Sequence, residues 1–178
     1  MADLRKVYID ACCFIDMVKV GVGQTLTQDR ERDVWFLKRL LEANRDSEVS
    51  IFTSTLSIAE CTHVGETKIS DGVKSQFSRL LMSGQYLRLV QMTPFIAEKA
   101  RDLRWDSGIN LKGADSIHAA SALEMKCEEF LSTNGRFQRI NAHNKALVKL
   151  GMTIRHGRNT QCLPPKYLQL ELDDAAKN

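Results

Sequence analysis

Short apolar segments alternate with amphipathic helical patterns along most of this chain, and this alternation restricts its fold more than any other feature. Strand-like runs are predicted at 7–9, 49–53, 87–92, 129–133 and 152–154. Between them, apolar residues recur at helical spacing, as in the helix predicted from Asp71 to Met82. Strands that alternate with helices form parallel sheets that carry helices on both faces. We therefore predict a three-layer α/β fold with a central, mainly parallel sheet of four or five strands.

The length of 178 residues fits one domain that can bury its own core without disulfide or metal support. The five cysteines are odd in number, lie mostly in apolar stretches and form no C-x-x-C pair, which indicates reduced, buried thiols. No apolar run approaches the roughly 20 residues that span a bilayer. The N-terminus also lacks the pattern of a secretory signal. We expect a soluble, cytoplasmic protein without a membrane partner.

The net charge of +3 points to no particular partner, but the charges are unevenly distributed. The segment from Gly135 to Lys166 contains no acidic residue and seven basic ones. Such a segment binds a polyanion, with phosphate the obvious candidate, or it forms a solvated basic face. The sequence leaves both interpretations open.

Four oxygen-bearing side chains are predicted to meet at one edge of the sheet. Asp10 follows the first strand and Asn134 the fourth, whereas Glu60 lies on the helix after the second strand and Asp115 on the helix before the fourth. Ligands of such sheets bind at the carboxyl ends of the strands. Carboxylates brought together repel one another, and a hard cation such as Mg²⁺ or Mn²⁺ relieves that repulsion. The pattern therefore predicts a metal site.

Each acid also has an ordinary structural interpretation. Asp10 can cap the following helix, and the helix dipole favours Asp115 in a first turn. Glu60 is predicted to share a helical face with Leu56 and Ala59, where an acid is unusual unless it binds metal or forms a buried ion pair. The prediction that all these acids meet at one edge of the sheet favours the metal site over the separate structural interpretations.

Several neighbouring residues are open to more than one role. His118 is interpreted as a packing histidine with its ring nitrogens satisfied, rather than as a ligand or base. Asp16 is either an acid that supports the metal site or a solvated helix residue. Lys112 and Arg136 are candidates for binding a substrate phosphate at the crevice, and the alternative is that both are exposed charges.

Four segments of the chain resemble, in order and spacing, the acidic motifs of PIN-domain ribonucleases. They are Tyr-Ile-Asp10, Ser-Ile-Ala-Glu60, Gly-Ala-Asp115-Ser-Ile-His118-Ala-Ala and Phe-Leu-Ser-Thr-Asn134-Gly-Arg-Phe137. The resemblance runs from about Val7 to about Ile154. By pattern and size, the chain is most similar to the toxin nucleases of bacterial VapBC toxin–antitoxin modules.

The resemblance implies a PIN-like fold and a metal-dependent endoribonuclease in which Asp10, Glu60 and Asp115 hold one or two Mg²⁺ or Mn²⁺. Asn134 stands where the family most often has a fourth acid. Its amide oxygen can bind a metal but adds no negative charge, so a second metal is left open. Ala11 and Cys12 also depart from the Thr-Asn or Ser-Ser that commonly follows the first acid.

Further expectations come from the same resemblance. They are an RNA substrate, a cognate antitoxin protein and a homodimer. The expected domain organisation is a PIN domain over residues 1–160 followed by a C-terminal tail over residues 161–178.

Two other functions are compatible with parts of this pattern. Asn134 and Ala11 also suit a catalytically degenerate PIN fold that binds nucleic acid or protein. A phosphatase of the haloacid dehalogenase type likewise places an Asp at the end of its first strand. That chemistry requires a second acid two residues further on, where this chain has Cys12, so we set it aside.

Overall fold

A computed structural model describes residues 4–65, 68–111, 113–135 and 141–169. The strands in this part of the chain are β1 (Arg5–Ile9), β2 (Val49–Ser54), β3 (Arg88–Val90), β4 (Glu129–Leu131) and β5 (Thr153–Arg155). They form one five-stranded sheet in the order β3-β2-β1-β4-β5, with every neighbouring pair parallel. The predicted parallel α/β fold is confirmed, and β1 with its terminal Asp10 lies at the centre of the sheet.

Helices connect the strands. Those described are α1 (Ala11–Gly21), α2 (Gln28–Arg45), α3 (Leu56–Glu60), α4 (Asp71–Met82), α5 (Pro94–Trp105), α6 (Ala114–Glu124) and α7 (Asn141–Lys149). Local sequence explains the start of α5. The Thr93 hydroxyl accepts a hydrogen bond from the backbone N–H of Ile96 at 3.3 Å, and Pro94 takes the first helical position. The bounds predicted for α4 are confirmed, and α6 begins at Ala114.

The sheet separates two hydrophobic cores because successive side chains of β1 point to opposite faces. Val7 and Ile9 pack with buried residues of α1, α2 and α4, while Tyr8 packs on the other face with residues of α5 and α6. On that second face, Tyr8 stacks on Phe130 of β4 with ring centroids 5.0 Å apart. Helices therefore cover both faces, as predicted.

The helix that carries Glu60 differs from its prediction. It ends at Glu60, so His63 lies beyond it, and the expected face shared with Leu56 and Ala59 is wrong because Ala59 is exposed. The buried residue of α3 is instead Ser57, whose hydroxyl lies 2.7 Å from that of Thr53. A hydrogen bond, rather than an apolar stripe, attaches this short helix to the sheet.

The cysteines confirm the interpretation as reduced, mostly buried thiols. All five are free, and only Cys12 is partly exposed. Burial raises the pKa of the Cys61 and Cys127 thiols to about 12, so both remain protonated and unreactive near neutral pH. None of the described helices is long and apolar enough to cross a membrane.

Several basic residues of the segment between Gly135 and Lys166 form ion pairs with acidic residues elsewhere in the domain. Within the described residues, Arg158 pairs with Asp33 at 2.7 Å and with Asp29 at 3.2 Å. Arg155 pairs with Glu129, and Lys166 pairs with Glu48. These contacts favour a structural role for this part of the segment over a surface for polyanions.

The start of the predicted C-terminal tail packs against the domain. Cys162, Leu163 and Tyr167 are buried in the core that contains Val7. The Tyr167 hydroxyl donates a hydrogen bond to Asp46 at 2.7 Å. The boundary between domain and tail remains a prediction, and residues 170–178 lie outside the described part of the chain.

Candidate active site

Asp10 lies buried at the carboxyl end of β1, where neutral groups hold its carboxylate. Oδ1 accepts a hydrogen bond from the backbone N–H of Ala11 at 2.8 Å, so the helix-cap interpretation is confirmed. Oδ2 accepts hydrogen bonds from the Ser132 hydroxyl at 2.7 Å and from the Cys12 thiol at 3.1 Å. Cys12 thus supplies a hydrogen-bond donor to this carboxylate. These bonds orient a buried negative charge without neutralising it.

Glu60 approaches the same place from α3, and a buried histidine joins it to Asp10. Its Oε2 lies 2.5 Å from Nε2 of His118, a residue of α6 that is 1% exposed. Oδ1 of Asp10 lies 3.9 Å from the same ring nitrogen. One imidazole therefore lies between the carboxylates that follow β1 and β2.

The other ring nitrogen of His118 is fixed by Tyr8. Nδ1 lies 2.7 Å from the Tyr8 hydroxyl, whose oxygen accepts a hydrogen bond from the backbone N–H of Ser54 at 2.8 Å. Burial and the nearby charge of Asp10 raise the pKa of Tyr8 well above its usual range, so the phenol stays protonated. When the imidazole is neutral, Tyr8 donates to Nδ1, which leaves a proton on Nε2 for Glu60.

Three acids act together on this imidazole. Burial alone would lower the pKa of His118, but its hydrogen bond to Glu60 opposes that effect. The negative charges of Asp10, Glu60 and Asp115 act in the same direction as the hydrogen bond, and the pKa of His118 is raised above its ordinary value. The acidic cluster thus shifts the imidazole toward its protonated, positively charged form.

The two remaining predicted residues lie at the edge of this cluster. Asp115 is half-buried in the first turn of α6, three residues before His118 and therefore on the same side of the helix. Asn134 follows β4, and its backbone N–H donates to the Ser132 hydroxyl at 3.0 Å. That hydroxyl also donates to Asp10. The structure thus places Asp10, Glu60, Asp115 and Asn134 around the carboxyl ends of β1, β2 and β4.

Asp16 supports the loop after β4, and the interpretation as a solvated helix residue is wrong. Its side chain is fully buried and forms a two-point ion pair with Arg30, in which Nε donates to Oδ2 at 2.9 Å. The Thr133 hydroxyl also donates to Oδ2 at 3.0 Å. Because Thr133 lies between Ser132 and Asn134, this buried acid holds the segment that contacts Asp10.

The sequence did not predict that His118 contacts Glu60. The interpretation of His118 as a satisfied packing histidine is confirmed by its two hydrogen-bonded nitrogens, but one partner is the candidate ligand Glu60. The spacing of three residues from Asp115 was the only available signal. Lys112 and Arg136, the predicted phosphate contacts, lie outside the described residues.

The donor chemistry of the cluster fits a hard divalent cation. Asp10, Glu60 and Asp115 supply anionic oxygens and Asn134 a neutral one, which is the set that Mg²⁺ and Mn²⁺ prefer. Across 4–65, 68–111, 113–135 and 141–169, however, no three His, Cys, Asp or Glu side chains already enclose a metal position. Binding of a cation therefore requires some side-chain rearrangement within the cluster.

The parallel sheet and the acids at its carboxyl edge define an α/β domain with a polar site at the ends of β1, β2 and β4. The PIN domain family model matches residues 7–142, and the chain belongs to this family. PIN domains are generally nucleases, which are hydrolases, and typically use divalent metals. No curated protein sequence matches the chain.

Proposed function

We propose that this protein is a metal-dependent endoribonuclease that hydrolyses RNA phosphodiester bonds at the acidic cluster. The observation that carries the proposal is the convergence of Asp10, Glu60 and Asp115 on the buried ring of His118 within a PIN fold. Acids of this number at the end of a sheet are costly to hold together unless a positive group balances them. A metal ligand role explains why separate elements bring them to one place.

The chain's own residues would bind and orient the reacting groups. Asp10, Glu60 and Asp115 are the proposed anionic ligands of Mg²⁺ or Mn²⁺, with Asn134 as a neutral ligand. The chemistry supplied by such a cation is activation of water and neutralisation of charge that develops on the phosphate, so no protein nucleophile is required. Ser132 and Cys12 hold the carboxylate of Asp10, whereas His118 positions that of Glu60.

We propose one metal ion for each chain rather than two. The fourth oxygen donor, Asn134, carries no charge, and Asp16 is already committed to Arg30. Both facts leave three anionic ligands at the cluster, which is a weak set for a second divalent cation.

A cleavage assay with defined metals tests the proposed activity. Purified protein should cleave single-stranded or structured RNA with Mn²⁺ or Mg²⁺ and should lose this activity with EDTA or with Asp115→Ala. The exposed acid Asp71 on α4 provides a matched control, because Asp71→Ala removes one carboxylate that pairs with Lys74 rather than with the cluster. RNA binding without cleavage would support the alternative, a degenerate binding module. Metal-independent cleavage that survives in Asp115→Ala would indicate a contaminating nuclease.

The toxin role and its protein partners extend the proposal. A cognate antitoxin that blocks the acidic cluster and a homodimer are both expected for a VapC-like toxin. Exposed apolar residues support protein contacts, since Met82, Met92 and Phe95 are 64%, 54% and 57% exposed. Light scattering across a concentration series should show a dimer. A monomer at all concentrations, together with no adjacent gene for an antitoxin, would contradict this part of the proposal.

Replacing His118 should weaken metal binding because Glu60 and Tyr8 each lose a hydrogen-bond partner. Loss of a group that orients a metal ligand typically costs about 10–100-fold in metal affinity or activity. We expect His118→Ala to lower Mn²⁺ affinity by this amount in a titration followed by electron paramagnetic resonance, and His118→Gln to restore part of it. His63→Ala is the matched control, since His63 is exposed outside α3. Unchanged Mn²⁺ affinity in a folded His118→Ala protein would refute the positioning role.

A further inference from the structure

A surface groove lies between α5 and the first turn of α6. It encloses about 430 Å³, and Arg101, Arg104 and Trp105 line its α5 side. Gly113 and Ser116 line the opposite side. We call this surface the α5–α6 groove.

Trp105 gives the groove a broad aromatic surface. It is 69% exposed, which is unusual for the largest apolar side chain in a protein. The guanidinium carbon of Arg101 lies 4.4 Å from the centre of its ring, so one cation already orients the indole. An exposed, oriented indole is a stacking surface for a nucleic-acid base.

Positive charge accompanies the indole on the same side of α5. Arg101 forms an exposed ion pair with Asp102 at 3.0 Å. Arg104 is exposed and has no carboxylate partner within the described residues. Asp102 and Asp106 line a different cavity, so they do not supply acidic side chains to the lining of the groove. An arginine beside an aromatic surface matches a nucleotide, which presents a phosphate and a base together.

The groove adjoins the acidic cluster through α6. Gly113 and Ser116 line the groove and lie two residues before and one residue after Asp115 in the chain. The Ser116 hydroxyl donates to the carbonyl of Gly113 at 2.8 Å, which fixes this first turn. The groove and Asp115 therefore share the first turn of α6.

We propose that the α5–α6 groove binds one nucleotide of single-stranded RNA next to the phosphate that is cleaved, with its base stacked on Trp105 and its phosphate on Arg104. This inference rests on the proposed function and adds a subsite for the substrate. It requires an unpaired base, because a base inside a duplex has no face available for the indole.

Fluorescence of Trp105 provides a binding assay that does not depend on cleavage. The chain contains two tryptophans, so Trp35→Phe leaves Trp105 as the only indole. In EDTA, a short unstructured oligo(A) should quench this emission, whereas the same length of double-stranded RNA should quench it much less. Trp105→Ala, read by a labelled oligo(A), should weaken binding by about 5–150-fold, and Trp105→Phe should retain most of the affinity.

Charge variants test the second half of the proposal. Arg104→Ala should weaken oligo(A) binding about tenfold and lower the salt dependence by about one ion. Arg79→Ala is the matched control, because Arg79 is an exposed arginine on α4 that lines another cavity. Equal losses in both variants would show that only net charge matters and would overturn the groove as a site.

Three further outcomes separate this inference from the proposed activity and from contact between copies of the chain. Quenching of Trp105 by oligo(A), without cleavage of RNA in the presence of any tested metal, would refute the proposed nuclease activity but would support the groove as a binding site. Normal cleavage, with unchanged KM and oligo(A) affinity in Trp105→Ala, would refute the groove alone. If the emission of Trp105 does not change on addition of oligo(A) but shifts with protein concentration, a second copy of the chain covers this surface. That result would refute the groove as an RNA site.

Discussion

Asp10→Asn is expected to reduce RNA cleavage by about 10³-fold or more and to remove most Mn²⁺ binding, while the fold is retained. A ligand that contributes several kcal/mol of charge stabilisation corresponds to a loss of this size. Asparagine is as good a helix cap as aspartate, so the start of α1 should persist. The substitution therefore changes the charge at the end of β1 with little change in shape.

Titration of Mn²⁺ into the wild type and Asp10→Asn, read beside cleavage, checks this result. Asp71→Asn changes an exposed carboxylate of α4 and should behave as the wild type in both assays. Cleavage by Asp10→Asn within about tenfold of the wild type would contradict a role for Asp10 as the central metal ligand.

Arg30→Ala is expected to lower the free energy of unfolding by about 3 kcal/mol, the lower end of the range for breaking a buried ion pair. Asp16 is fully buried, whereas the Arg30 side chain is 40% exposed, so water can reach part of the site after truncation. The hydrogen bond from Thr133 would remain but cannot neutralise the charge. The loss should therefore exceed that from any surface pair.

Urea unfolding followed by circular dichroism measures this loss. Lys74→Ala breaks an exposed pair with Asp71 and should change stability by less than about 1 kcal/mol. The double variant Arg30→Ala/Asp16→Asn should be less destabilised than Arg30→Ala alone, because the buried charge is then removed. A double variant as unstable as the sum of its single changes would contradict the account of a buried pair.

Residues whose placement follows from chain order could be predicted from the sequence. Asp10 and Asn134 follow apolar runs that became β1 and β4, and parallel pairing of those strands then determines that both lie at one edge. Asp115 was predicted from its position in the first turn of a helix that precedes β4. These predictions needed only periodicity and the rule that sites form at strand ends.

Contacts between distant side chains could not be predicted in this way. The bond from His118 to Glu60 joins α6 to α3, and the pair of Asp16 with Arg30 joins α1 to α2. Neither pair has a sequence spacing that indicates contact, because the packing of separate elements determines both. Glu60 illustrates the limit, since its predicted apolar face is wrong although its position in the cluster was predicted.

The central claim is that the acids at the carboxyl edge of the sheet form one metal site. Anomalous diffraction from crystals grown with Mn²⁺ tests it most directly. The account predicts one strong Mn²⁺ peak bounded by the carboxylates of Asp10, Glu60 and Asp115. Absence of a peak at this cluster at saturating Mn²⁺, or Mn²⁺ bound only elsewhere on the chain, would contradict it.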